Sequence, residues 1–195
     1  MKTVKTKLII VACVLPLLFM ACSKDDDAKK PNTSNNPTFT FLKLGNSWEY
    51  ELNDNPNYVY KQTIISVKSG IFKIDEDHNI PGVPPGGITY WFANSNHWKL
   101  NTDSTGGGGY VVLQRNYSVG QKWDITSTVM KTAEVVSISE TVEVPAGIFS
   151  NCIKVEILCQ EYGFEYYYTY WIRPDIGIIK SLEGSFLQQL KSKNF

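Results

Sequence analysis

From Thr38 to the end of the chain, apolar residues recur at alternate positions in short bursts, and nowhere at the spacing of an amphipathic helix. The bursts are rich in Val, Ile, Thr, Tyr and Trp, and clusters of Gly, Pro, Asn and Asp separate them. The pattern predicts strands over 47–53, 58–68, 70–75, 88–94, 97–102, 110–115, 122–130, 133–144, 151–160, 164–173, 177–183 and 185–192. In the last of these, Phe186-Leu187-Gln188-Gln189-Leu190 also suits the start of a short helix. Consecutive strands without crossover helices predict an all-β domain over 38–195: a single strongly curved antiparallel sheet, as a half-open barrel or a sandwich.

Two hairpins can be registered from the alternation alone. A turn on Tyr162-Gly163 pairs Cys159 with Tyr166, Ile157 with Tyr168, Val155 with Tyr170 and Ile153 with Ile172, an apolar and aromatic set that suits a core face. The opposite face receives Leu158 with Tyr167, Glu156 with Thr169 and Lys154 with Trp171. A turn on Ser95-Asn96 pairs Ala93 with Trp98 and Trp91 with Leu100, leaving Tyr90, Phe92 and Lys99 on the reverse side. A short internal echo accompanies them: Leu44-Gly45-Asn46-Ser47-Trp48-Glu49-Tyr50 matches Val119-Gly120-Gln121-Lys122-Trp123-Asp124-Ile125 in type, 75 residues later.

The first 21 residues have another character. Lys2, Lys5 and Lys7 precede a 13-residue apolar run, Leu8 to Met20, which is short for a membrane span and has the charge layout of a signal peptide. Leu18-Phe19-Met20-Ala21-Cys22 resembles the lipobox of bacterial lipoproteins, which implies acylation of Cys22 and a membrane anchor of several acyl chains. Residues 22–37 then hold nothing that can be buried and form a tether, at most roughly 50 Å long when extended and about 20 Å as a coil. Ser23 directly after the Cys resembles an outer-membrane address. The acidic run Asp25-Asp26-Asp27 is similar to export signals of surface-exposed lipoproteins, which implies surface exposure over a periplasmic orientation.

Cys13 leaves with the leader and Cys22 is taken by lipid, so Cys152 and Cys159 remain. On one strand they stand about 23 Å apart, against a disulfide limit near 7 Å. They are expected to be unpaired, with Cys159 the better protected because it shares a face with Ile153, Val155 and Ile157.

Composition excludes more chemistry than it suggests. Removal of the three leader lysines leaves sixteen basic against nineteen acidic side chains, a poor charge balance for nucleic acid. Two His and two Arg exclude multi-His metal centres and arginine-rich anion sites. Asp75, Asp77 and Asn79 alternate as in a calcium loop, but Ile80 takes the place of the turn Gly and Gly86 that of the closing Glu. Gly106-Gly107-Gly108-Gly109 opens a strand rather than a helix and lacks the Lys-Ser/Thr of a phosphate loop. Glu49 and Glu51 share a face as a glycosidase pair does, but opposite Trp48, Tyr50 and Leu52, as the solvent side of a strand requires.

Val144-Pro145-Ala146-Gly147-Ile148-Phe149-Ser150-Asn151-Cys152-Ile153-Lys154-Val155, followed by Tyr170-Trp171-Ile172-Arg173-Pro174-Asp175-Ile176-Gly177-Ile178-Ile179-Lys180, is similar to a family of β-rich envelope proteins called TapB-like. The resemblance covers most of residues 42–182 and implies a strongly curved antiparallel sheet without assigned catalytic residues. The expectation is a non-enzymatic lipoprotein without metal or cofactor, which binds a glycan, an apolar ligand or an envelope protein. Tyr90, Phe92, Tyr167 and Trp171 on the reverse face are its candidate contacts. The alternative is a small glycan-acting hydrolase, for which carboxylates or a histidine must converge in one concave pocket.

Overall fold

Alternation of buried and exposed positions turns every predicted segment into a strand. The computed structural model describes residues 39–195, so the leader, Cys22 and the tether lie outside it. Twelve strands follow one another: β1 Ser47–Leu52, β2 Asn55–Lys68, β3 Ile71–His78, β4 Ile88–Ala93, β5 His97–Thr102, β6 Gly108–Gln114, β7 Lys122–Asp124, β8 Met130–Val144, β9 Gly147–Glu161, β10 Phe164–Arg173, β11 Gly177–Glu183 and β12 Phe186–Asn194. They form one antiparallel sheet in the order β6-β5-β4-β3-β2-β1-β12-β11-β10-β9-β8-β7. The Phe186–Leu190 segment is strand, not helix, and sits at the middle of the sheet beside β1.

Two meanders of six strands are therefore joined once, through β1 and β12. The sheet curls until its two ends approach. The Tyr110 hydroxyl on β6 lies 2.9 Å from that of Tyr170 on β10, and the Trp123 indole on β7 donates to the Val111 carbonyl on β6 at 2.9 Å. Among the described residues no backbone pairing joins β6 to β7, so the barrel stays half-open along that seam. The seam explains why β7 has three residues instead of the predicted nine. With a partner on one side only, the chain leaves the ladder after Asp124.

The internal echo is a structural repeat. Gly45 donates to Ile64 and Ile64 to Asn46, while Gly120 donates to Val135 and Val135 to Gln121, at 2.8–3.0 Å throughout. Both glycines have φ above 80°, which a side chain would strain. Trp48 and Trp123 then turn into the core, and each indole donates to a distant carbonyl, Trp48 to Ile176 at 2.6 Å.

Every pair of the Tyr162-Gly163 hairpin is found in the predicted register. The Ser95-Asn96 hairpin pairs Ala93 with Trp98 and Phe92 with Lys99, but a bulge at Asn101, whose φ is 52°, then shifts the ladder and places Thr102 opposite Tyr90. Trp91 and Leu100 both stay buried across the bulge. Cys152 and Cys159 are both free. Cys159 is not the better protected, because both thiols are fully buried. Asn151, at φ 55°, bends β9 so that Cys152 and Ile153 are consecutive buried residues. Burial pushes the Cys152 thiol up to about 11, against the opposing pull of Arg173, and the side chain packs in the core.

One end of the half-barrel is plugged. Phe39 and Phe41 pack on Trp98, and Phe41 also meets Trp48 edge-on with ring centres 5.8 Å apart. Asn46 secures the plug by donating its side-chain amide to the Phe41 carbonyl at 2.7 Å. At the opposite end, where β1, β3, β5 and β11 finish and β2, β4 and β12 begin, the interior stays open.

Candidate ligand pocket

The inner face changes character along its length. On β3 the inward positions run Phe72, Ile74, Glu76, His78, and on β2 they run Ile64, Gln62, Tyr60 toward the same end. The alternation that packs the plugged end thus delivers polar groups to the open one. β11 does the same with Ser181 and Glu183, which pair with Tyr170 and Tyr168.

Tyr60, Gln62, Glu76, His78, Tyr170 and Glu183 surround a cavity of about 430 Å³. Buried Leu52, Trp91, Leu100 and Ile178 form its apolar wall, and Ile80, Val83 and Phe186 line its rim. The polar wall is one connected chain on one side. The Tyr170 hydroxyl donates to Glu183 Oε1 at 2.9 Å and, its proton so committed, accepts from Tyr110. On the other side the Gln62 amide donates to both the Tyr60 hydroxyl, at 2.8 Å, and Glu76 Oε1, at 3.0 Å. Burial holds the Glu183 carboxyl above the usual glutamate range, and the Tyr170 hydrogen bond only partly offsets it. Burial likewise drives the Tyr110 and Tyr60 hydroxyls far upward, with a negative charge adding to each: Glu183 for Tyr110 and Glu76 for Tyr60. Both hydroxyls therefore stay neutral hydrogen-bonding groups at physiological pH. His78 Nδ1 is buried at this cavity without a hydrogen-bond partner.

The residues expected from sequence stand elsewhere. Tyr90, Phe92, Tyr167 and Trp171 are all at least partly accessible, on the face away from the core. β4 carries the first two and β10 the others, with five strands between, so the structure does not bring the four together. Phe92 lies beneath the 103–107 loop, where a Cβ on Gly106 would touch its ring at 3.0 Å, and it also packs on His97. Trp171 is flanked by the ammonium groups of Lys154 and Lys180, 5.8 and 5.6 Å from its ring centre. The acidic run on β3 divides by parity: Asp75 and Asp77 are exposed, whereas Glu76 and His78 point inward. Asn79 accepts the Val59 amide at 2.6 Å, and among the described residues no cluster of three or more His, Cys, Asp or Glu side chains is placed to hold a metal. Asp103 accepts from Thr105 and Gly107, which makes the glycine run a hairpin loop between β5 and β6. Glu49 and Glu51 lie opposite fully buried Trp48, Tyr50 and Leu52, as a solvent face does.

No family model matches the chain, and no curated protein matches it. The TapB-like resemblance therefore rests on the quoted motifs alone. Among solved structures the chain aligns with the crystal structure of the hypothetical lipoprotein YmcC from Escherichia coli (K12), at 10% identity and a TM-score of 0.40, over 81% of this chain and 90% of that one.

Proposed function

We propose that this is a lipid-anchored outer-membrane protein whose β-domain holds a small ligand in the cavity at its open end, without catalysing a reaction on it. The observation that carries this reading is the inversion of the inner face, where six strands that pack apolar side chains at one end send Tyr, Gln, Glu and His into a cavity at the other. A fold that only needed a core has no reason to place two carboxylates there, since buried polar groups cost stability unless they meet a partner. The anchor rests on the Lys-rich leader, the lipobox ending at Cys22 and the polar tether. The ligand classes are a glycan or a small molecule with an apolar part; an envelope protein is the partner of larger size.

A second reading, a small glycan-acting hydrolase, is favoured by one feature: Glu76, Glu183 and His78 line the same concave cavity. The two readings separate on turnover. The acylated protein, isolated from membranes, is expected to release a small molecule on solvent extraction, and Val83→Trp at the exposed rim is expected to abolish that yield. Cys22→Ala is expected to move the protein out of the membrane fraction. A membrane-bound Cys22→Ala product of unchanged size would overturn the anchor. Release of reducing ends from a glycan mixture, lost in both Glu76→Gln and Glu183→Gln, would establish the hydrolase instead.

A further inference from the structure

The cavity has a sign. Its lining includes Glu76 from β3 and Glu183 from β11, on different halves of the sheet, and not one Lys or Arg. Neither carboxylate takes part in an ion pair among the described residues, whose lysines and arginines pair with Glu49, Glu134, Glu156 and Asp175 instead. Their partners are neutral: the Tyr170 hydroxyl for Glu183 and the Gln62 amide for Glu76. A carboxylate drawn out of water with a neutral partner alone is undercompensated, and a positive charge brought to it restores what burial removed. The hydroxyl protons of Tyr110 and Tyr170 run toward Glu183, so this wall offers oxygen lone pairs to an incoming donor.

Resting on the reading of the cavity as a ligand site, we propose that it takes a small organic cation: an ammonium group set between Glu183 and Glu76, on a short apolar or aromatic body. The body follows from the other wall. Leu52, Leu100 and Ile178 exclude water on one side, and the Trp91 ring adds a face suited to a cation or to stacking. A bare metal ion is a poor fit, because among the described residues no three His, Cys, Asp or Glu side chains converge, and because the cavity is far larger than an ion needs. An anion is opposed by both carboxylates, with no Lys or Arg in the lining to offset them.

Three probes of matched size isolate the charge: 2-phenylethylamine, 2-phenylethanol and 3-phenylpropanoate, titrated calorimetrically into the full β-domain at pH 7 with cellobiose as a neutral sugar. The amine is expected to bind about tenfold or more tightly than the alcohol, and the propanoate not measurably. Glu183→Gln is expected to remove about a tenfold share of the amine's affinity and leave that of the alcohol unchanged, with Glu76→Gln acting in the same direction. Val83→Trp is expected to weaken amine and alcohol alike, which places both in the cavity. Equal affinity for amine and alcohol, preference for the propanoate, or binding of cellobiose alone overturns the cation and leaves the cavity a ligand site. Binding of none of the four overturns both.

Discussion

Trp98→Ala is expected to cost about 3–5 kcal/mol of stability, and Trp171→Ala only about 1–2 kcal/mol. Trp98 is fully buried and holds three aromatic neighbours: Phe41 at 5.0 Å, Trp91 at 5.5 Å and Phe39 at 6.1 Å between ring centres. Its loss opens a hole at the plug, where the N-terminal segment meets the first meander, and rings this large cannot slide in to fill it. For a domain of this length the penalty lowers the melting temperature by about 10 °C. Trp171 projects from the other face, part-exposed, and gives up contacts with two lysine side chains and some packing at the core margin. Thermal melts of the two variants check the ranking. Equal and severe losses would mean that both faces are packed and that the outer aromatics form a second core.

The second large effect has a sign that depends on pH. Glu183 binds its proton more tightly in the folded protein than the ordinary glutamate value of 4.5, because burial penalises its charge. Below that value folded and unfolded chains are both protonated and the native state keeps its full advantage. As pH rises through the window above 4.5 toward the folded value, the unfolded chain releases the proton first and stability falls. Glu183→Gln retains an acceptor for the Tyr170 hydroxyl and carries no charge. It is therefore expected to be more stable than the parent at pH 7, by about 1 kcal/mol, and the gain should vanish near pH 4. Tyr170→Phe acts oppositely, since it leaves Glu183 without its donor and Tyr110 without its acceptor. Its expected cost is about 1–3 kcal/mol at pH 7, and less at pH 4, where the carboxyl is neutral. Urea denaturation at the two pH values measures both. A parent chain that outlasts Glu183→Gln at pH 7 would show that the carboxylate is not strained by burial.

The strands were legible because their outer and inner residues differ, and the hairpin registers because a two-residue turn leaves a single alignment that keeps Ile153, Val155, Ile157 and Cys159 on the core side. The pocket was not legible, for the same reason. Strand prediction reads apolar residues as inward, so the predicted strand ends at Asp75, where the inward positions of β3 turn polar, and leaves Glu76 and His78 outside it. Gln62, Glu183 and Gln188 were hidden likewise, as polar residues on strands already assigned. The aromatic outer face stands out in the sequence because alternation cannot tell an outer ring from a binding one. The parity of Phe72 and Ile74, extended two steps further along β3, reaches the inward pair Glu76 and His78.

The seam has a consequence for the order in which the chain is written. All eleven strand pairings survive if the polypeptide is cut between β6 and β7, since no ladder crosses that gap. At the plugged end, Phe39 contacts Phe41, Phe41 contacts Trp48 and Trp48 contacts Phe195, each with ring centres within 6.2 Å. A linker of about six residues, reaching roughly 20 Å, spans that distance. A circular permutant that starts in the 115–121 connection, runs through β7–β12, crosses the linker and finishes with β1–β6 keeps every neighbour in place. In that arrangement the two meanders exchange the roles of first and second, and the joint between them becomes a covalent one.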